Sequence, residues 1–218
     1  MATFSVYMVR HGQTYFNKYR RMQGWCDSPL TTVGENDARN AGKMLNGIHF
    51  DAAYASDMSR AMRTAQLMLP ASDNADLTVQ PLAAFREAFY GYFEGGDTSQ
   101  TWFEVGAPHK APTLSAIIDQ YGIEKAKDFC KEADPFHSAE NNAEFWQRVN
   151  GGIDTLRTNQ KDGDKVLLVS HGNTIYSIAD RFATLTSPER PQNGSVTKFT
   201  ITDDDVQLDY LGRKDHLA

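Results

Sequence analysis

Val9-Arg10-His11-Gly12-Gln13-Thr14 and, far downstream, Val169-Ser170-His171-Gly172-Asn173-Thr174 are two versions of one hexapeptide, Val-x-His-Gly-(Gln/Asn)-Thr. Each follows a short apolar run that reads as a buried strand, Phe4 to Val9 and Lys165 to Val169. Both histidines therefore stand where a strand ends, and strand ends carry the chemistry of open α/β sheets.

Working outward, Tyr15 to Arg21 reads as a short helix or a loop, and Gln23 to Pro29 as irregular backbone. Thr32 with Glu35 three residues on has the form of a capping box, and Ala38, Ala41 and Leu45 mark the inner face of the helix that Gly47 closes. A short strand, Ala52 to Ala55, precedes Ser56-Asp57, which offer an N-cap to a helix with Met58, Ala61, Met62, Ala65 and Leu69 on its apolar side. Arg60 then falls in a first turn, where free N–H groups and the helix dipole already favour an anion. Asp76 to Pro81 reads as a third strand, and Phe85 to Gly96, rich in Gly and aromatics, as a loop lining a site.

From Asp97 to about Ser138 the composition shifts to Pro, Lys and scattered aromatics, with helices over 114–121 and 124–131. Trp102, Phe103, Phe129 and Phe136 read as the small core of this insertion. Ser138 is a candidate cap for a helix with Phe145, Val149, Ile153 and Leu156 inward and Gly151-Gly152 as a weak point. Asn173 to Phe182 closes the series of helices, and Val196 to Ile201 with Val206 to Leu211 forms a hairpin around Thr202-Asp203-Asp204-Asp205. The expected fold is α/β: a three-layer sandwich with a mainly parallel central sheet, helices on both faces and a small helical insertion, residues 97–138, covering the site within one domain spanning 1–218.

Composition narrows the function. The 218 residues are 40% hydrophobic and 23% charged, ordinary for a globular protein, and a net charge of −6 argues against general nucleic-acid affinity while leaving a locally cationic pocket open. No apolar run approaches the ~20 residues of a membrane span, and no signal peptide is visible. Cys26 and Cys130 show neither CxxC nor metal-type spacing, which fits reduced thiols in the cytoplasm.

A site assembled from Arg10, His11, Arg60, Glu87 and His171 can do specific chemistry. Guanidiniums bind phosphate oxygens in pairs and stay charged at working pH. A neighbouring imidazole can attack phosphorus, dividing a hard displacement into formation and hydrolysis of a phosphohistidine. With neither a P-loop nor a magnesium-type carboxylate cluster in the sequence, Arg10, Arg60 and a protonated His171 would meet the developing charge. Glu87 is the proton donor for the leaving oxygen. Gly12 and Gly172 allow the backbone close to a ligand.

Arg10-His11-Gly12, Arg60 within Ser56-Asp57-Met58-Ser59-Arg60-Ala61, Glu87, and Ser170-His171-Gly172-Asn173 together resemble the histidine phosphatase superfamily, which includes cofactor-dependent phosphoglycerate mutases; the resemblance spans nearly the whole chain. It implies a phosphorylated His11, phosphate contacts from Arg10, Arg60 and His171, acid–base work by Glu87, supporting contacts from Asn17, Gln23 and Gly24, and no metal ion or other cofactor. Tyr90, Gly172 and Asn173 join the expected substrate-binding set. The stretch after Tyr90-Gly91 lacks the Asn-Lys pair that mutases place there for a substrate carboxylate. Gln23-Gly24-Trp25 through Thr31, with Phe93-Glu94-Gly95, resembles the broad-specificity phosphatase branch. The expectation is hydrolysis of a small phosphorylated metabolite. A 2,3-bisphosphoglycerate-dependent mutase and a non-catalytic phosphate-binding regulatory module are the alternatives, with a homodimer left open.

Plainer readings apply elsewhere. Zinc held by the two histidines would need a third ligand with suitable spacing. Arg63 reads as a surface residue, His49, His137 and His216 as surface or structural, His109 and Lys110 as solvated, and the Asp203 run as a hairpin turn rather than a calcium loop.

Overall fold

The structure, a computed structural model, describes residues 2–185, 190–215 and 217. Strands β1 (Phe4–Arg10), β2 (Ala52–Ala55), β3 (Val79–Pro81), β4 (Lys165–Ser170), β5 (Val196–Ile201) and β6 (Val206–Arg213) form one sheet in the order β3-β2-β4-β1-β5-β6. The pairs β1·β4, β2·β4 and β2·β3 are parallel, and the β5–β6 hairpin adds an antiparallel edge on β1. The helices are α1 (Tyr15–Lys18), α2 (Thr32–Met44), α3 (Ser59–Met68), α4 (Thr98–Gly106), α5 (Leu114–Ala133), α6 (Asn142–Asn159) and α7 (Gly172–Phe182).

Strand alternation divides the core into two layers. Tyr7, Val9, Leu167 and Val169 face α2 and α3 through Ala38, Ala41, Ala61, Ala65 and Met68. Val6, Met8, Val166 and Leu168 face α6 and α7 through Phe145, Val149, Ile153, Ile175 and Ile178. Fully burying each larger apolar side chain contributes roughly 1.5–3 kcal/mol, so both faces hold the sheet and the three-layer expectation is met.

Several local expectations shift. The α2 cap is Thr31, whose side chain accepts from Gly34 N, while Glu35 turns outward to Arg39 and Arg63. Neither Ser56 nor Asp57 caps α3: Asp57 is drawn to Arg86, and Asp27, some thirty residues earlier, accepts the Ser59 N–H at 2.6 Å. Asn141, not Ser138, caps α6 in a reciprocal box with Glu144, and Gly152 packs under Ala84 and Phe85 without breaking the helix. The third strand is only three residues long.

The insertion contains a helix that the sequence reading does not include, α4, capped by Asp97 through Ser99 N and Gln100 N. The two expected insertion helices run on as α5 across a kink at Gly122 (φ +82°), a backbone angle that glycine adopts freely. The aromatic core expected there is dispersed. Trp102 is buried, but its neighbour Phe103 lies on the other face of α4 and is 59% exposed, and Phe136 is 73% exposed. Phe129 stacks on His109 at 3.5 Å between ring centroids. Among the described residues, no helix is long and apolar enough to cross a membrane. His216 lies outside the described residues.

Candidate active site

Parallel register sets the floor of the site. Val9 pairs with Val169 and Arg10 with Ser170, so the two His-Gly turns leave adjacent strands side by side, and His11 N donates to Ser170 O at 3.0 Å. The imidazole centroids of His11 and His171 lie 5.1 Å apart at 63°, both rings buried. His11 Nδ1 contacts the Gly12 carbonyl at 2.8 Å. In that hydrogen bond Nδ1 is the donor, which leaves Nε2 with its lone pair. His171 has no hydrogen-bond partner on either nitrogen among the described residues.

Both imidazoles titrate well below the ordinary histidine range. For His11 burial dominates, followed by the charges of Arg60 and Arg10; for His171 burial again leads, then Arg60, His11 and Arg10. Burial and the neighbouring cations thus favour the neutral form of both rings in the site without an anion, whereas the protonated His171 expected from the sequence would need a bound anion beside it. Neutral His11 is the form that can attack phosphorus.

Arg10 Nη1 donates to Pro191 O, while Arg10 Nε is buried without a partner among the described residues. Burial pushes its pKa down to about 10, which still leaves the guanidinium charged at neutral pH. Arg60 is fully buried and binds the Gly24 and Cys26 carbonyls and Asp27, leaving Nε unpaired among the described residues. Arg10 Nε, Arg60 Nε and both His171 nitrogens are therefore buried polar atoms without partners among the described residues, near a histidine whose pKa Arg10 and Arg60 help to lower. Buried donors left unmatched cost about 1–3 kcal/mol each, and an oxyanion is the species that satisfies several at once.

The glycines after each histidine have a packing role that differs from the expected ligand approach. A Cβ on Gly12 would lie 2.1 Å from the Gly34 carbonyl, and one on Gly172 would lie 3.1 Å from the Arg10 guanidinium carbon. Gly12 thus seats the first turn on α2, and Gly172 makes room for Arg10.

Glu87 sits at the start of α7. Its carboxylate accepts from Asn173 N (2.9 Å), Thr174 N (2.9 Å) and Thr174 Oγ1 (3.0 Å), two of them free N–H groups of the helix's first turn. Tyr90 accepts from Asn173 Nδ2 at 2.6 Å, and its buried hydroxyl stays protonated far above neutral pH.

Two residues outside the expected set hold these parts in place. Arg148, on the inner side of α6, donates to the carbonyls of Ala84, Arg86 and Glu87 and pairs with Glu140, fixing the segment that carries Glu87. Glu94 accepts from the N–H groups of Gly24, Trp25, Cys26 and Tyr90. Arg148 left one sequence signal, a charge between Phe145 and Val149 on a buried helix face; Glu94 left only its place in the branch-like triplet.

A cavity of about 630 Å³ opens above this floor. Arg10, Asn17, Gln23, Glu87, Tyr90, Gly172 and Asn173 line it, joined by Gln13, Arg20, Arg21, Met22, Thr98, Ser99, Trp102, Ser115, Arg190, Gln192 and Asn193. His11, Arg60 and His171 are buried and do not line it, nor does Gly24; Arg60 instead borders a separate hollow with Asp27 and Ser59. Asn193 Nδ2 donates to the His11 carbonyl and to Asn17 Oδ1. Among the described residues, no three His, Cys, Asp or Glu side chains are grouped as metal ligands.

A mainly parallel α/β fold with paired buried histidines, buried arginines and one carboxylate near the strand ends has the chemistry to bind and transfer a phosphoryl group. A profile of the histidine phosphatase superfamily (branch 1) matches residues 6–214, and the chain belongs to that superfamily. It is 30% identical over 172 residues to the 2,3-bisphosphoglycerate-dependent phosphoglycerate mutase 2 of Gloeobacter violaceus, covering 78% of this chain and 72% of that one. The crystal structure of a phosphoglycerate mutase from Bacillus anthracis superposes with TM-score 0.91 at 32% identity, covering 98% and 94% of the two chains. The alpha-ribazole phosphatase from Shigella flexneri has the same fold, with TM-score 0.71, 24% identity and 98% of each chain covered.

Proposed function

We propose that the protein is a phosphomonoester hydrolase that works through a phosphohistidine at His11, without a metal ion, on a small phosphorylated metabolite. The observation that carries this reading is the buried His11 imidazole with Nδ1 tied to Gly12 and Nε2 left unprotonated, beside two buried arginines whose Nε groups have no partner among the described residues. In the first step Nε2 attacks phosphorus, the ester P–O bond breaks, and the leaving alkoxide takes a proton from the Glu87 carboxyl. In the second, Glu87 as carboxylate takes a proton from water, the water oxygen displaces His11, and phosphate leaves with Glu87 protonated again. Arg10, Arg60 and the N–H of His171 stabilise the charge on the phosphoryl oxygens in both steps.

Hydrolysis is favoured over isomerisation by what the insertion contributes to the cavity: Thr98, Ser99, Trp102 and Ser115, none of them cationic. That composition agrees with the missing Asn-Lys pair. The mutase alternative draws support from the names of the relatives near 30% identity. The two separate in one experiment: incubate with a phosphate ester in EDTA, quench, and follow acid-labile phosphoenzyme, inorganic phosphate and, with bisphosphoglycerate priming, isomerised phosphoglycerate. The expected outcome is a phosphoenzyme that decays to inorganic phosphate. Isomerisation outrunning hydrolysis selects the mutase, and binding without turnover selects the regulatory module.

A further inference from the structure

The loop at 23–29 touches both halves of the site. Its Gly24 and Cys26 carbonyls hold the Arg60 guanidinium at 2.6 and 3.0 Å. The residue between them, Trp25, sends its indole to Glu87, where Nε1 donates to the backbone carbonyl at 3.0 Å. Three consecutive residues thus bond the side chain of a phosphate-binding arginine and the backbone of the proton donor. Trp25 keeps 36% of its surface exposed, so filling the core does not account for its place.

The indole is itself seated. The Arg86 guanidinium lies 4.6 Å from its ring centroid, and the Phe89 ring lies 5.0 Å away at 35°. Trp25 therefore meets the residue before Glu87, Glu87 itself and the second residue after it. Arg86 is fixed in turn by a two-pronged pair with Asp57, Nε donating to Oδ1 at 2.6 Å and Nη2 to Oδ2. Those bonds hold the Asp57 carboxyl below the usual carboxylate range, so the pair stays charged at working pH. Arg148 reaches the same Glu87 carbonyl only at 3.4 Å. Asp57, Arg86 and Trp25 are all absent from the described lining of the cavity, so they influence a substrate through Glu87. What they set is its direction: the carboxylate is tied to Asn173 and Thr174 on α7, and the backbone carbonyl to Trp25, so the residue is held at both ends.

We propose that Trp25 is a positioning residue for the proton donor. The Asp57–Arg86 pair seats the indole, the indole N–H holds the Glu87 carbonyl, and the Glu87 carboxyl is thereby kept at the leaving-group oxygen while the same loop holds Arg60. The inference rests on the phosphoryl-transfer reading above, with Glu87 as the acid, and adds what aims that acid.

Two esters with the same phosphoryl group separate aiming from general damage: 4-nitrophenyl phosphate, whose leaving phenolate is stable without a proton, and 4-nitrobenzyl phosphate, whose leaving alkoxide is not. The readout is the ratio of kcat/KM for the first ester to kcat/KM for the second, which reports ester cleavage and leaves out hydrolysis of the phosphohistidine. Glu87→Gln should raise the ratio by about 10²-fold. Trp25→Phe keeps a ring but loses the N–H, and should raise it by about tenfold. Arg86→Gln unseats the indole and should raise it by about threefold or more. Equal losses on both esters in Trp25→Phe and Arg86→Gln, or no loss, beside a raised ratio in Glu87→Gln, overturn the inference and leave the proton-donor reading standing. A ratio unmoved in Glu87→Gln, or no turnover of either ester by the unaltered protein, removes that reading and the inference with it. Thermal denaturation of each variant accompanies the kinetics, and if Trp25→Phe fails to fold, the ratio in Arg86→Gln and Asp57→Asn decides.

Discussion

At the floor of the cavity, His11 and His171 are neighbours because β1 and β4 run parallel in register, and short backbone bonds hold both turns. At the wall, Thr98, Ser99, Trp102 and Ser115 arrive on α4 and α5, joined to the core by side chains and loop straps rather than by the sheet. The floor is set by strand order, so its geometry is as rigid as the sheet. The wall is set by contacts between distant segments and can vary without disturbing the chemistry beneath. Chemistry should therefore fail when the floor is altered, and selectivity or stability should change when the wall is.

Within the floor the two histidines differ, and the largest expected effect tests that difference. His11 has its tautomer fixed by Gly12, whereas His171 has both nitrogens unpartnered among the described residues. On the proposed reaction, replacing His11 with Ala removes the nucleophile, and turnover should fall by at least about 10⁴-fold with no phosphoenzyme formed. His171→Ala removes one charge-stabilising donor, a loss of about 10²–10³-fold in kcat, with phosphoenzyme still trapped after the quench. Loss of the phosphoenzyme in His171→Ala together with its persistence in His11→Ala would reverse the roles.

A second effect concerns pH. Burial, Arg60 and Arg10 hold the His11 imidazole well below the ordinary range, so the nucleophile stays unprotonated as pH falls through 6.5. The acid limb of kcat/KM should accordingly lie below pH 6.5. Arg10→Gln removes a cation that disfavours the imidazolium, so the limb should move toward higher pH while kcat/KM drops by about 10²-fold from the lost phosphate contact. An acid limb that stays in place in Arg10→Gln would mean that burial and Arg60 alone set the titration of His11.

The floor was legible in the sequence and the wall was not, for physical reasons. A strand followed by His-Gly is a local pattern, and its repetition predicts two strand ends; parallel pairing then brings them together. Arg60 was legible as a first-turn residue, but its anchor was not: Asp27 and the Gly24 and Cys26 carbonyls come from a loop more than thirty residues away. Arg148 and Glu94 act on backbone groups dozens of residues distant, which no periodicity records. The helix α4 went unread because Thr98 to Gly106 turns only Thr101, Trp102, Val105 and Gly106 inward, too short a stripe to show a clear period.

The smallest expected effect lies behind the wall, at Lys127 on α5. Its side chain is buried, donates to Ile123 O at 3.2 Å and lies 4.5 Å from the Phe145 ring centroid, with no ion-pair partner among the described residues. Burial pushes its pKa down to about 8, against the opposite pull of Glu124, Glu87 and Glu140. The unfolded lysine titrates near 10.5, so between about pH 8 and 10.5 the unfolded chain binds more protons than the folded one, and this group makes stability rise with pH. Below pH 8 the folded protein carries the full cost of the buried charge, about 3 kcal/mol at 1.36 kcal/mol per pKa unit. Lys127→Met fills similar space without that charge; with about 2 kcal/mol subtracted for the lost Ile123 hydrogen bond and Phe145 ring contact, the net of about 1 kcal/mol should raise Tm at pH 7 by a few degrees, taking ~2–4 °C per kcal/mol for a chain of this size. The advantage should shrink as the pH is raised from 8 to 10, with kcat changed less than about twofold, because Lys127 does not reach the floor. A Lys127→Met protein less stable than the parent at pH 7 would show that the hydrogen bond to Ile123 and the ring contact outweigh desolvation, and the wall would then depend on its buried charge as the floor depends on Arg60.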